Sequence, residues 1–479
     1  MKRRSKSKGE WLEMGIKMRA DCPRILLAGD RSSSGKTTIV AGLLSALRGR
    51  NLKVQPFKVA MDYIDPSYHT WITGRSCRNL DGYLMNEAAV REIYAHAAQG
   101  ADVAVIEGVR GLYEGYEGDL GSTAQIAKML RVPVIFVVDA RSITRSCAAL
   151  VKGYMDYDPA VQFRGVILNK VGSARHADKA TREIERYAKV EVVGTIRRNE
   201  DMHLAMRHLG LVPVMEGKTR HEGFKERVDR IRQIVEEGLD LDRIREIARE
   251  AEPLPEVEPD LYLKNDSGKD LSIGVAQDEA FNFYYRDNLE LMELAGARIV
   301  PFSPVHDASL PEVDGIYIGG GYPEIYAREL SENQSFKSSI QKAHEKDIPI
   351  FGECGGLMYL GREIEWDGER REMAGLIPGK ARRGARRTVS YVHGHLAQAS
   401  PLGRAGEYIM GHEFHHSEML IDPKARVEYA IRLERGTGIA DGLDGIHIGN
   451  LVASYSHIHS ASFRGFPASF LSACRDKRQ

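Results

Sequence analysis

The chain has 479 residues, 43% of them hydrophobic and 28% charged, with 67 lysines and arginines against 67 aspartates and glutamates. That length exceeds one ordinary core and predicts two domains of about 200 residues each, while the balanced charge offers no general attraction to nucleic acid or an anionic membrane. Cys22, Cys77, Cys147, Cys354 and Cys474 are odd in number and lack metal-ligand spacing, which argues against a zinc site or disulfide framework and points to a reducing, cytoplasmic setting.

The opening, Met1-Lys2-Arg3-Arg4-Ser5-Lys6-Ser7-Lys8, is basic and lacks the apolar stretch of a signal peptide. Residues 1–22 are expected to form a disordered tail, and no run is long enough to span a bilayer. From Arg24 to about Met215, β-rich runs (Ile25–Ala28, Val103–Ile106, Val134–Val138, Val166–Leu168, Val192–Gly194) alternate with helical stretches. The alternation predicts an α/β domain with a parallel sheet over residues 23–250. Phe224, Val228, Ile231 and Val235 keep helical spacing in a charged segment, so a surface helix is expected to close it. Residues 251–270, with Pro253, Pro255 and Pro259 among acidic residues, predict an extended linker. A second α/β domain over residues 271–470 begins at Leu271–Ala276, continues through Gly315–Ile318 and Ile350–Phe351, and ends in a polar, histidine-rich region.

The first domain opens on Gly29-Asp30-Arg31-Ser32-Ser33-Ser34-Gly35-Lys36-Thr37-Thr38. Such a loop between strand and helix presents backbone N–H groups and a lysine to phosphates, and the helix dipole adds to the attraction. Lys36 is expected on the terminal phosphates of ATP, with Gly35 and Thr38 in the loop, and Thr37 on magnesium. Five residues rather than four separate Gly29 from Gly35. Glu107 closes an apolar strand, where a carboxylate can supply magnesium with a hard oxygen ligand. Asn169, at another strand end, could read a base through its amide or simply form a turn, and turn formation is equally open to Asp62 and Asp65.

In the second domain, Phe351-Gly352-Glu353-Cys354-Gly355-Gly356 follows an apolar run and sets one cysteine between small residues. That pattern permits the sharp strand-to-helix turn of a nucleophile elbow. A thiolate that attacks an amide needs a base and oxyanion donors. His457, in Ser454-Tyr455-Ser456-His457-Ile458-His459, is the candidate base. Gly319, Gly320 and Gly321, with the N–H of Gly355, are the candidate donors for a glutamine-derived oxyanion. Alone, Cys354 is more often a buried structural cysteine; the glycine turn and the histidine give it a chemical role. Gly411-His412-Glu413-Phe414-His415-His416 lacks zinc-like spacing and is read as structural or interdomain.

Phe57-Lys58, Asp62-Tyr63-Ile64-Asp65-Pro66-Ser67-Tyr68-His69, Gly74-Arg75, Arg78-Asn79-Leu80-Asp81 and Glu107-Gly108-Val109-Arg110-Gly111-Leu112-Tyr113 resemble the a,c-diamide synthases of tetrapyrrole side chains. Those belong to a superfamily with dethiobiotin synthetase, whose phosphate loop has the same extra residue. The resemblance runs from about Arg24 to Arg464. It implies that Lys36, Thr37, Lys58, Asp62 and Glu107 surround ATP, magnesium and the carboxylate to be activated, with Thr37, Asp62 and Glu107 as metal ligands. The later motifs resemble the class I glutamine amidotransferase domain of cobyrinic and cobyric acid synthases, in which Cys354 aligns as nucleophile, His457 as base, and His459 falls outside the catalytic position. The acidic third member of a triad has no clear counterpart near His457.

The implied reaction is ATP-dependent, glutamine-hydrolysing amidation of the a and c acetates of a tetrapyrrole polycarboxylate, with ammonia sheltered between the halves. Asp65, His69, Arg75, Arg78 and Arg110 are the expected substrate contacts. Ala60-Met61, where cobyrinate enzymes carry Gly-Pro, together with Arg110 and Glu114, looks closer to enzymes that amidate nickel sirohydrochlorin toward the nickel coenzyme of methane formation; cobyrinate is the alternative. Remoter readings are a cobyric acid synthase and a non-enzymatic partitioning-type ATPase. A homodimer is compatible with the sequence, which leaves the oligomeric state open.

Overall fold

The computed structural model describes Met18, residues 21–202 and residues 218–478. Apart from Met18, Asp21 and Cys22, the expected N-terminal tail lies outside the described residues. The chain divides between Asp260 and Leu261 into two compact units. Among the described residues no helix is long and apolar enough to cross a membrane.

The first unit is a seven-stranded parallel sheet: β1 (Arg24–Gly29), β2 (Val54–Val59), β3 (Arg78–Leu80), β4 (Val103–Glu107), β5 (Val134–Asp139), β6 (Phe163–Val171) and β7 (Val192–Arg197). Its order is β3-β2-β4-β1-β5-β6-β7. β1, β2, β4 and β5 are buried along their whole length, as strands covered on both faces must be. Helix α1 (Lys36–Gly49) follows the phosphate loop and buries Ile39, Leu43, Leu44 and Leu47; α2 (Ile64–Thr73) follows β2. The helix Lys218–Gly238 forms as the spacing predicts, with Phe224, Val228, Ile231 and Val235 at most 3% exposed. It lies against α1 because Gly42 has no side chain: a Cβ there would come within 2.5 Å of Val235. The proline-rich segment is not a free tether. Leu254 and Val257 are buried, Val257 bridges to Met18, and the Asp260 N–H donates to Glu92 at 2.9 Å.

The second unit contains β8 (Ser272–Ala276), β9 (Phe281–Phe283), β10 (Arg298–Phe302), β11 (Gly315–Ile318), β12 (Gly320–Gly321), β13 (Ile350–Glu353), β14 (Gly361–Trp366), β15 (Glu369–Glu372) and β16 (Ile377–Leu396). It continues with β17 (Tyr408–Ile421), β18 (Glu428–Arg435), β19 (Leu443–Ile448), β20 (Leu451–Ser454) and β21 (His457–Ile458). Five strands, β10-β8-β11-β13-β20, pair in parallel, and antiparallel β19 and β18 extend that sheet toward a long β16–β17 hairpin. The parallel core supplies the strand-to-helix elbow, while β17 brings the histidine-rich stretch back to β21, pairing His412 with His457.

Helix Gly355–Leu360 starts so close to β11 that a Cβ on Gly356 would lie 2.1 Å from the Ile318 carbonyl oxygen. Backbone cannot yield as a side chain can. Gly356→Ala is expected to cost about 1–3 kcal/mol and lower the thermal midpoint of this unit by about 5 °C, measurable by scanning calorimetry.

Candidate active site

In the first unit, the parallel register sets Lys58 of β2 directly across from Glu107 of β4. Glu107 is fully buried and accepts from Lys58 Nζ at 2.9 Å and from Thr37 Oγ1 at 2.5 Å, while His69 Nε2 contacts its other oxygen at 2.5 Å. Lys58 also donates to Asp65 Oδ2 at 2.5 Å, and Thr37 Oγ1 lies 3.3 Å from the same oxygen. Burial alone would raise Glu107, but the Lys58 ammonium and the His69 contact outweigh it and hold the carboxyl below the usual range. Burial would likewise lower Lys58, and the Asp65 and Glu107 charges reverse that and hold it charged. Lys36 is pulled down to about 8 by burial, against the attraction of Glu107, and donates to the Arg110 carbonyl at 2.5 Å.

Four expectations need correction. Asp62 does not stand with Thr37. Its Oδ1 accepts the Ile64 and Asp65 N–H groups at the start of α2, and its Oδ2 is 3.9 Å from Lys58; Asp65, expected to meet substrate, takes the place beside Thr37 and Glu107. Burial and the neighbouring Asp65 charge push Asp62 up to about 7 against Lys58, an effect that water moderates because 28% of its side chain is open. His69 is no surface receptor for carboxylates: it is fully buried against Glu107. Arg75 sits at the other end of β2, donating to Gln55 Oε1 and to the Ala97 and Gln99 carbonyls, so its guanidinium is used in closing the amino edge of the sheet. Arg78 is buried on β3 opposite Phe57, whereas Arg110 is exposed with a left-handed backbone, φ 48°.

Asn169 supports the phosphate loop. Its amide donates to the Ser34 carbonyl at 2.8 Å and its Oδ1 accepts from the Lys170 N–H. A Cβ on Gly35, which has φ 95°, would lie 2.2 Å from that amide, so glycine is required there on both counts. Sequence reasoning missed Asn79, which donates to the Ala60 and Asp62 carbonyls at 2.8 Å and shapes the turn after β2.

In the second unit, Cys354 is the elbow, with φ 49° and ψ −94°, values that store backbone strain. The strain is sustained by its N–H, which donates to the Ser454 carbonyl at 2.7 Å, and by the parallel pairing of β13 with β20. Burial, then the Glu324 and Glu353 charges, push the thiol well above its usual range, so it rests protonated, with Sγ 3.8 Å from the Phe414 carbonyl. His457 is buried, its ring stacked on His412 at 5.0 Å between centroids, and its Nδ1 is 3.9 Å from Glu353 Oε2. Glu353 also accepts from the Tyr317 hydroxyl at 2.7 Å and the Ile458 N–H at 2.9 Å. That buried acid is the residue sequence reading missed; the signal was a charged side chain closing an apolar strand, which needs partners once buried. His459 contacts Asp287 at 3.3 Å, away from this group.

The glycine turn is partly corrected. The Gly319 N–H is already donated to the Tyr284 hydroxyl at 2.7 Å, so it cannot serve an oxyanion. Gly321 N lies 2.9 Å from where a Cβ on Gly355 would stand, and a Cβ on Gly320 would lie 2.7 Å from the His457 ring. Gly320, Gly321 and Gly355 thus crowd the thiol and imidazole as only glycines can.

A phosphate loop over a parallel sheet and, on the same polypeptide, an elbow thiol and a buried imidazole that share one glycine turn define a glutamine-dependent amidating ligase that uses ATP. Residues 25–212 match the CobQ/CobB/MinD/ParA nucleotide binding domain and residues 272–465 the CobB/CobQ-like glutamine amidotransferase domain. A cobyrinate a,c-diamide synthase of Methanosarcina barkeri is 53% identical over 95% of this chain and 97% of its own length. Proteins of the same name from Methanothermobacter thermautotrophicus (45% identical, 93% and 98% covered) and Dehalococcoides mccartyi (41%, 95% and 98%) are also similar. The chain belongs to the cobyrinate a,c-diamide synthase family.

The Lys58 site yields a pH-dependent prediction. In Lys58→Met, Glu107 loses the ammonium that holds its carboxyl down, so burial raises its folded-state pKa above that of the unfolded chain. The resulting destabilisation grows with pH above about 4.5: about 3 kcal/mol or more at pH 8, and clearly less at pH 5.5, read from melting curves at the two pH values.

Proposed function

We infer that this chain converts the a and c acetates of a tetrapyrrole polycarboxylate to acetamides, with nickel sirohydrochlorin as the macrocycle. The observation that carries the reading is the convergence of Thr37, Lys58, Asp65 and Glu107 at the phosphate loop, on a chain that also holds the Cys354 elbow and the buried His457. A free carboxylate is a poor electrophile, and transfer of the ATP terminal phosphoryl group turns it into an acyl phosphate, from whose carbonyl carbon ammonia can displace inorganic phosphate. Lys36 and the loop N–H groups hold the phosphates.

Magnesium fits this site as a co-substrate ion. Among the described residues no cluster of three His, Cys, Asp or Glu could hold a metal by itself, but Thr37, Glu107 and Asp65 offer neighbouring hard oxygens, and magnesium usually completes its shell with phosphates and water. These three residues would hold the ion, which when bound neutralises phosphate charge. Lys58 keeps Glu107 ionised for that task.

At the second site Cys354 gives its proton to His457 as the thiol attacks the glutamine amide. Glu353, held by Tyr317 and the Ile458 N–H, orients the imidazole, and the N–H groups of Gly321 and Gly355 receive the developing oxyanion. The adduct collapses to a thioester as His457 returns the proton to the departing ammonia, and water then hydrolyses the thioester to glutamate and frees Cys354. Because the resting thiol is protonated, proton transfer to His457 must accompany attack.

Two positions support the nickel macrocycle. Ala60-Met61 stands where cobyrinate enzymes carry Gly-Pro, and Arg110 with Glu114 departs from their Met and Asp. Cobyrinate is the second reading, favoured by the names of the relatives. Purified protein with ATP, magnesium and glutamine is offered each macrocycle, and addition of two amides is followed by mass. Efficient turnover of nickel sirohydrochlorin is expected; turnover of cobyrinate alone would establish the second reading. Cys354→Ala is expected to lose glutamine-dependent amidation while ammonium salts still drive it; retention of glutamine-driven turnover would remove Cys354 from the chemistry.

A further inference from the structure

A cavity of about 420 Å³ opens beside the elbow, walled by Tyr322, Glu324, Trp366, His416 and the arginines Arg383, Arg386 and Arg387. Two contacts tie it to the thiol. The position of a Cβ on Gly355, next to Cys354, is 3.1 Å from Pro323 Cδ, so Tyr322 and Glu324 flank the elbow. On the other side the Phe414 carbonyl faces Cys354 Sγ, and the Phe414 ring meets that of His416 at 6.3 Å.

The walls carry opposite charges. Glu324 is half-buried. Arg383 stands on the long hairpin, its guanidinium 4.8 Å over the Trp366 ring and 2.9 Å from Asp367 Oδ1, which fixes a side chain that would otherwise wander. A bulge puts it there. Arg383 pairs with Ser417 and Thr388 with His415, so residues 384–387 swell out opposite His416 alone and turn a basic rim over the cavity.

Resting on the glutaminase reading of Cys354, we propose that this cavity holds the amino-acid head of glutamine, with Glu324 receiving the α-ammonium and Arg383 the α-carboxylate. Glutamine carries one of each beyond the amide that reacts; the cavity offers one acid for the ammonium and, among its arginines Arg383, Arg386 and Arg387, one held in place by Asp367 for the carboxylate. The state of Glu324 agrees: desolvation pushes it up to about 7, with Arg383 opposing, which is the condition of a carboxyl that lacks its cation and would regain its charge when an ammonium binds. Selection then works by subtraction, because an amide without either charged group leaves one wall of the cavity unpaired.

The test measures hydrolysis of three amides by the full chain: L-glutamine, glutaramic acid, which lacks the α-amino group, and 4-aminobutanamide, which lacks the α-carboxylate. Glu324→Gln is expected to raise KM for L-glutamine about tenfold or more while leaving kcat/KM for glutaramic acid unchanged; Arg383→Met is expected to do the same for L-glutamine while sparing 4-aminobutanamide. Alkylation of Cys354 by iodoacetamide, followed in both variants, confirms that the elbow is folded. Equal losses on all three substrates, or no loss on L-glutamine, would overturn the assignment. The ligase reading fails separately: if the wild-type chain hydrolyses glutamine yet amidates no tetrapyrrole even with ammonium salts, the pocket stands and the proposed reaction falls.

Discussion

Lys58 and Glu107 face one another across two parallel strands, and that register organises much of the nucleotide half. A carboxylate with no solvent exposure is tenable only with a cation and donors around it, and Lys58, Thr37 and His69 provide them. The three come from β2, α1 and α2, so the ion pair also decides where those helices begin. Parallel strands end on a common edge, and the loops and helix starts that leave them converge there. Slipping β2 by one residue would turn Lys58 to the opposite face and leave Glu107 uncompensated.

The second half applies the same rule to different chemistry. β11, β13 and β20 end together, so the glycine turn after β11, Cys354 after β13 and His457 beyond β20 meet without any being near another in sequence. Glycines decide how close they come. The acid that closes β13, Glu353, gains the Ile458 N–H and the Tyr317 hydroxyl as partners and lies within reach of the imidazole. The antiparallel arm then does what the parallel core cannot, laying β17 against β21 so that His412 stacks on His457 and the hairpin bulge overhangs the elbow.

Electrostatics separates the two sites more sharply than shape. At the phosphate loop Lys58 and Glu107 are paired and stay charged, ready for a highly anionic ligand. Around the elbow they are held back: burial keeps the thiol protonated, and His412, well below its usual range chiefly through burial, stays neutral. A resting site without a free thiolate is protected from chance electrophiles, and attack becomes favourable only when a substrate amide and its oxyanion donors are in place.

The sequence by itself determined the α/β class, the phosphate loop and the elbow, because each is a local backbone device: glycines, a lysine and a hydroxyl at fixed spacing, or a cysteine between small residues after a strand. Helix Lys218–Gly238 was legible for the same reason, from apolar spacing alone. Tertiary structure decided what depends on which strand end a side chain reaches. Asp62 and Asp65 are three residues apart and look alike in sequence, yet only Asp65 meets Thr37, since the first turn of α2 takes Asp62 for its N–H groups. Arg75 reads like its neighbour Arg78 but faces the far edge of the sheet, and Gly319 reads like Gly320 but has lost its N–H to Tyr284. Hydrogen-bond partners distant in sequence made those choices, and no local pattern encodes a partner contributed by another strand.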